Sequence, residues 1–133
     1  MEATNYAFKT TVNLSHEEAI QRMTEELKKE GFGVLTEIDV KATMKKKLDV
    51  DFRKHNILGA CSPQNALTAL GNEIDIGLML PCNVVVYEDQ SGATAVAAID
   101  PVASMMAVRN AALETHALEI RTKLQRVIEA MEF

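Results

Sequence analysis

The stretch VVVYEDQSGATAVAAI, running from Val84 to Ile99, decides the architecture. Val84-Val85-Val86-Tyr87 is a run of β-branched and aromatic side chains, which fit a pleated, half-buried surface. Asp89-Gln90-Ser91-Gly92 supplies the residues that close a tight turn. Ala93–Ile99 then returns as a second strand, so the pair reads as an antiparallel hairpin. The many alanines of the return strand imply that something packs closely over it.

Upstream, Ile76 to Glu88 is nearly continuous apolar sequence, interrupted by Gly77, Pro81 and Asn83. Pro81 has no N–H for a ladder and is expected on an edge or at a bulge. Val34, Thr36, Ile38 and Val40 alternate with Leu35, Glu37 and Asp39, the pattern of a half-buried strand. Residues 53–60 read as another strand, and 5–12 as one more, with Tyr6, Phe8 and Val12 on one face. The helices carry punctuation. Ser15 followed three residues later by Glu18 is a capping box. Ala19, Ile20, Met23 and Leu27 recur at helical spacing and Gly31 stops the run, predicting a helix over 15–30. Val40, Met44 and Leu48 predict a short helix near 41–48. Ser62 is expected as a helix N-cap and Pro63 as the first helical residue, where a missing N–H does no harm. That helix ends at Gly71-Asn72. Asp100-Pro101 breaks the hairpin strand, and Val102–Val108 begins a helix. Leu113, Ala117, Ile120, Leu124, Val127, Ile128 and Met131 form an apolar stripe, predicting a long amphipathic helix over 110–131.

The order is β-α-β-β-β-β-α with short helical insertions. Runs of strands flanked by helices specify α+β: two layers, a curved antiparallel sheet of about five strands, covered on one face by helices. At 133 residues the chain reads as a single domain, 1–133, able to bury roughly two thirds of its unfolded surface without disulfide or metal. With no Trp and four Phe, the core must rest on Leu, Ile, Val, Met and Ala. A net charge of −5 argues against a nucleic-acid surface, whose affinity comes from neutralising phosphates. The lysines at 41, 45, 46 and 47 read as a solvated helix face. No charged-then-apolar leader opens the chain, and no apolar run approaches the ~20 residues needed to span a bilayer. A cytoplasmic protein with reduced thiols, off the membrane, is the expectation.

Four motifs together are similar to those of the bacterial and archaeal domain-of-unknown-function 302 family. They are Gly31-Phe32-Gly33-Val34-Leu35-Thr36-Glu37-Ile38-Asp39-Val40-Lys41-Ala42-Thr43, Ile57-Leu58-Gly59-Ala60-Cys61-Ser62-Pro63, Leu80-Pro81-Cys82-Asn83-Val84-Val85-Val86-Tyr87-Glu88, and Asp100-Pro101 with Met105 or Met106. The resemblance covers nearly the whole chain. It implies a two-layer α+β fold like that of the TATA-binding protein, and homodimers. It supplies no catalytic residue, and a fold shared with a DNA-binding protein says nothing about DNA, because function lives in sites. His55 departs from the pattern, which leads one to expect an aromatic residue there.

Chemistry-bearing residues gather at predicted strand ends. Cys61 immediately precedes a helix start, where partial positive charge can make a thiol reactive. Cys82 follows Pro81. If their strands are neighbours, the thiols approach each other. The plainer reading is that both are small buried hydrophobes. His16, His55 and His116 show no metal-ligand spacing, and His16 and His116 read as exposed helix residues. No phosphate loop, serine nucleophile elbow or metalloprotease signature is present, so no cofactor or metal is expected. The candidate ligand-binding set is Gly59, Cys61, Ser62, Pro81, Cys82, Asn83 and Asp100. The functional expectation is a homodimer binding a small molecule near Cys61 and Cys82. The alternatives are a thiol-dependent redox or sulfur-handling protein using that pair, and a non-catalytic interaction module. The sequence leaves open whether the protein is an enzyme.

Overall fold

The computed structural model describes residues 1–132. Among them the strands are β1 (Glu2–Ala3), β2 (Ala7–Val12), β3 (Gly33–Asp39), β4 (His55–Cys61), β5 (Cys82–Glu88) and β6 (Thr94–Ile99). The helices are α1 (His16–Lys29), α2 (Val40–Leu48), α3 (Pro63–Asn72), α4 (Pro101–Met105) and α5 (Ala111–Met131), with 3-10 turns at Ile74–Met79 and Met106–Val108. The strands form one antiparallel sheet in the order β1-β2-β6-β5-β4-β3. The α+β architecture is therefore as read from the sequence, with a sixth strand added. The extra strand is the two-residue β1, too short to show any periodicity.

The hairpin of β5 and β6 lies at the centre of the sheet, Val84 opposite Ala98 and Val86 opposite Val96. Alternation along each strand sends Phe8, Leu58, Ala60, Val84, Val86, Val96 and Ala98 to one face. α1 and α5 pack side by side on that face and close the core with Met23, Leu27, Leu124, Ile128 and Met131. Each of these side chains contributes about 1.5–3 kcal/mol by leaving water.

α1 is fixed at both ends by its own sequence. Ser15 Oγ accepts from the Glu18 N–H at 3.1 Å, and Glu18 Oε1 accepts from the Ser15 N–H at 3.1 Å. At the other end Gly31, at φ 86°, donates to Lys28 O while Phe32 donates to Leu27 O. That pairing is a Schellman motif, and it turns Phe32 into the core.

Three expectations are corrected. Tyr6 does not share the face of Phe8: β2 begins at Ala7, and Tyr6 lies ahead of it, 66% exposed. Pro81 is at neither an edge nor a bulge. It directly precedes the first residue of a central strand, so its missing N–H interrupts no ladder. The sheet's register shift lies instead in edge strand β3, between Val34 and Thr36. His16 is buried rather than exposed, because the first turn of α1 rests on β4 through a 2.7 Å hydrogen bond between His16 Nε2 and Asn56 Oδ1.

A second, smaller cluster lies beside the main core: Ala69, Ile76, Met105, Leu113 and Ala117, from α3, α4, the first 3-10 turn and the start of α5. It is held by polar ties. His116 Nε2 lies 2.9 Å from Asn65 O, and Asn110 Nδ2 reaches Asn72 O and Glu73 Oε1 at 3.3 Å.

Candidate functional site

β4 and β5 are neighbours, and Ala60 stands opposite Cys82. The register also brings the end of β4, the start of β5 and the end of β6 to one end of the sheet. Cys61 is the last residue of β4 and Cys82 the first of β5, and both residues line one crevice. Ser62, Asn65 and Ala66 from the start of α3 form one wall, and Leu80, Met105 and Ile120 another. The free volume is about 20 Å3, room for about a single water. Cys82 is buried, and desolvation, with the neighbouring Cys61 adding to it, pushes its thiol up to about 11. Cys82 is thus held as a neutral thiol at physiological pH, the form that is not a nucleophile. Cys61 is half-buried. Ser62 occupies the N-cap position of α3, but its hydroxyl makes no capping bond.

Gly59, Pro81 and Asn83 belong to a different locality. Gly59 pairs with Thr36 on one side and Asn83 on the other. A Cβ on Gly59 would fall 2.2 Å from Thr36 Oγ1 and 2.7 Å from Pro81 Cγ, so the glycine is required by close packing. Asn83 is exposed on the sheet face away from α1 and α5. Asp100 is buried at the head of α4. Its Oδ1 accepts from the Val102 N–H at 3.0 Å, and its Oδ2 lies 3.3 Å from Arg121 Nε. Arg121 also sits over the Phe8 ring, 5.6 Å from its centroid. Asp100 therefore clamps α4 onto α5.

The larger hollow lies across Met105 from the thiol crevice. A groove of about 320 Å3 runs between α4 and α5. Val102, Met105 and Met106 form one side, and Leu113, Ala117 and Leu118 the other. Arg109, Asn110 and Glu114 close its polar end. Met106 and Leu118 stand on its rim, 72% and 52% exposed. Arg109 holds φ at 55°, an uncommon conformation for a residue with a side chain, just before Asn110 caps α5 through the Ala112 N–H. In the sequence Met105 and Met106 stand out only as part of a family motif, and Arg109 does not stand out at all. The signal the sequence carried was an apolar Met-Met-Ala-Val run that no helical stripe absorbs, followed by Arg-Asn at a helix start.

No group of three or more His, Cys, Asp or Glu side chains among the described residues is placed to hold a metal ion. No helix among them is long and apolar enough to cross a membrane. His16 Nδ1 is buried with no hydrogen-bond partner among the described residues, while Asn56 Nδ2 continues the chain to Glu37 Oε2 at 3.1 Å.

The crystal structure of an uncharacterised conserved DUF302 protein from Bacillus stearothermophilus shares 31% sequence identity with this chain. It superposes with a TM-score of 0.88, covering 95% of this chain and 98% of that one. Among curated proteins none matches. The family model for the domain of unknown function DUF302 matches residues 8–131, almost the entire described chain. On sequence and structure alike, the chain belongs to the DUF302 family.

Proposed function

We propose that this protein is a small-ligand-binding domain whose ligand, an amphiphile with an apolar chain and an anionic head, lies in the groove between α4 and α5. The observation that carries this reading is the groove: about 320 Å3, lined mainly by apolar side chains including Met105 and Met106, with Arg109, Asn110 and Glu114 as its polar residues. That volume is at the lower end of the ~300–1,000 Å3 of small-molecule sites, and an apolar lining with a few convergent polar groups is their usual character. Methionine adapts its shape to irregular apolar partners. Met105 walls both the groove and the thiol crevice, so the ligand lies next to Cys61 and Cys82 without entering a space too small for it. The reading includes a homodimer. Leu67, Ile74 and Leu78 leave three-quarters or more of their surfaces in water, and a second copy would cover such side chains.

The test uses decanoate and decanol as probes, titrated by calorimetry, with sedimentation velocity on the same samples. Decanoate is expected to bind saturably and more tightly than decanol. Met106→Glu and Leu118→Glu, both on the exposed rim, should each weaken decanoate by at least about tenfold, which is 1.4 kcal/mol. Absence of saturable binding by either probe, or binding indifferent to both substitutions, removes the groove reading. A monomer at every concentration removes the dimer.

A further inference from the structure

The sheet face away from α1 and α5 carries an ordered row of side chains that the groove does not use. His55 pairs with Tyr87, Tyr87 with Ala95, and Ala95 with Thr11, crossing β4, β5, β6 and β2 in register. Residues directly opposite in a sheet point to the same face. The His55 and Tyr87 rings are stacked, with centroids 5.4 Å apart and planes 18° from parallel. Phe52 extends the series beyond His55, at 6.3 Å. The His55 and Tyr87 rings thus stack across adjacent strands, while Phe52, ahead of β4, is tilted 58° to His55.

At the next strand the series stops. Ala95 occupies the place of the next ring, and above it is a hollow of about 500 Å3. Tyr87 and Thr11 form its walls, Ala95 its floor, and Glu2, Lys9 and Asp89 its rim. Tyr87 is covered by His55 on one ring face, so the other is turned to the hollow. Neighbouring strands lie about 4.8 Å apart, and aromatic pairs settle at centroid distances of about 4.5–7 Å. A planar ring seated over Ala95 would continue the stack at the spacing already set by His55 and Tyr87. From Tyr87 to Thr11 is two strand spacings, about 9.6 Å, enough for a ring in van der Waals contact on both sides. Lys9 and Thr11 are both in the lining, and their side chains offer a cationic donor and a donor-acceptor. That set favours a heteroaromatic ring with acceptors on its edge over a plain hydrocarbon.

The geometry points to a second ligand site on the open sheet face, in which a planar heteroaromatic ring such as a nucleobase or a flavin ring stacks on Tyr87 above Ala95. The aromatic series supplies the platform, and the single small residue in the row supplies the space.

Adenosine and riboflavin serve as probes, with ribose as the control that lacks a ring. Binding is read by chemical-shift changes of the Tyr87 ring and by quenching of riboflavin emission. At least one ring probe should bind saturably at millimolar concentration or below, while ribose leaves Tyr87 unmoved. Ala95→Leu fills the slot and should abolish binding. Tyr87→Leu leaves the hollow and removes the platform, and should weaken binding by about tenfold or more, as loss of a stacking partner does. Thermal melting checks that each variant folds, and Tyr87→Leu decides the matter if Ala95→Leu does not. Failure of both ring probes to bind, ribose binding as well as adenosine, or ring binding unchanged in the folded variants overturns the inference.

Discussion

Gly59→Ala is the substitution for which the structure gives the firmest number. The added Cβ would lie 2.2 Å from Thr36 Oγ1 and 2.7 Å from Pro81 Cγ. Thr36 can rotate its hydroxyl away at a modest cost. The Pro81 ring is bonded to its own backbone and has no rotamer into which to withdraw, so the start of β5 must shift relative to β4. Crowding of this kind destabilises by about 1–3 kcal/mol. Alanine at a compatible strand position would instead stabilise by about 0.4–1 kcal/mol through the unfolded chain, so the two effects have opposite signs and the assay separates them. Unfolding entropy of about 2.1 cal/mol/K per residue, over 133 residues, converts the penalty to a fall in Tm of about 4–11 °C. Differential scanning calorimetry, with urea denaturation as a second measure, reads it. In a Thr36→Ala background the contact with Oγ1 is absent and that with Pro81 remains, so the penalty should shrink without vanishing. A Gly59→Ala protein that melts at or above the wild-type temperature would refute the packing argument, and with it the claim that this glycine is kept for close approach.

The other expected outcomes concern the thiols and the histidine of the ring row. Iodoacetamide at pH 8 should modify Cys61 in the native protein and spare Cys82, which is buried and titrates only near about 11. Mass spectrometry after digestion reads this, and labelling of Cys82 at the rate of Cys61 would contradict its burial. Because the folded state raises the Cys82 pKa above its ordinary value of 9.0, that thiol's contribution to stability is full below pH 9.0 and is lost as pH rises toward about 11. A Cys82→Ala variant should therefore lose less stability than wild type over that interval in urea titrations. Burial, with a smaller contribution from the nearby His16, lowers the pKa of His55 below 6.5. The unfolded chain then binds the proton first, so the stability contributed by neutral His55 is present above pH 6.5 and is lost as pH falls below it. NMR titration should place His55 below its ordinary value, and His55→Phe should flatten the acid limb of the stability curve. A His55 that titrates at or above 6.5 contradicts this.

Local chemistry wrote much of this molecule directly into its sequence. Ser15 and Glu18 cap α1, Gly31 ends it, the stripe from Ile120 to Met131 lays α5 on the sheet, and the turn at Asp89–Gly92 joins β5 to β6. Each rests on periodicity or on a backbone preference that acts within a few residues, so neighbours in sequence suffice to read it. The convergence of the Cys61 and Cys82 corners was conditional in the sequence, because it depended on β4 and β5 being adjacent, which composition cannot state. Burial of His16 was invisible for the same reason: its partner Asn56 lies 40 residues away. The groove escaped because its sides come from two helices, α4 and α5, which the Asp100–Arg121 clamp holds together. The row of rings escaped because His55, Tyr87, Ala95 and Thr11 come from four strands, brought into line only by register. Elements follow from short-range sterics and hydrogen bonds, whereas sites here are spaces between elements, and the size of a space is fixed only when the whole chain has packed.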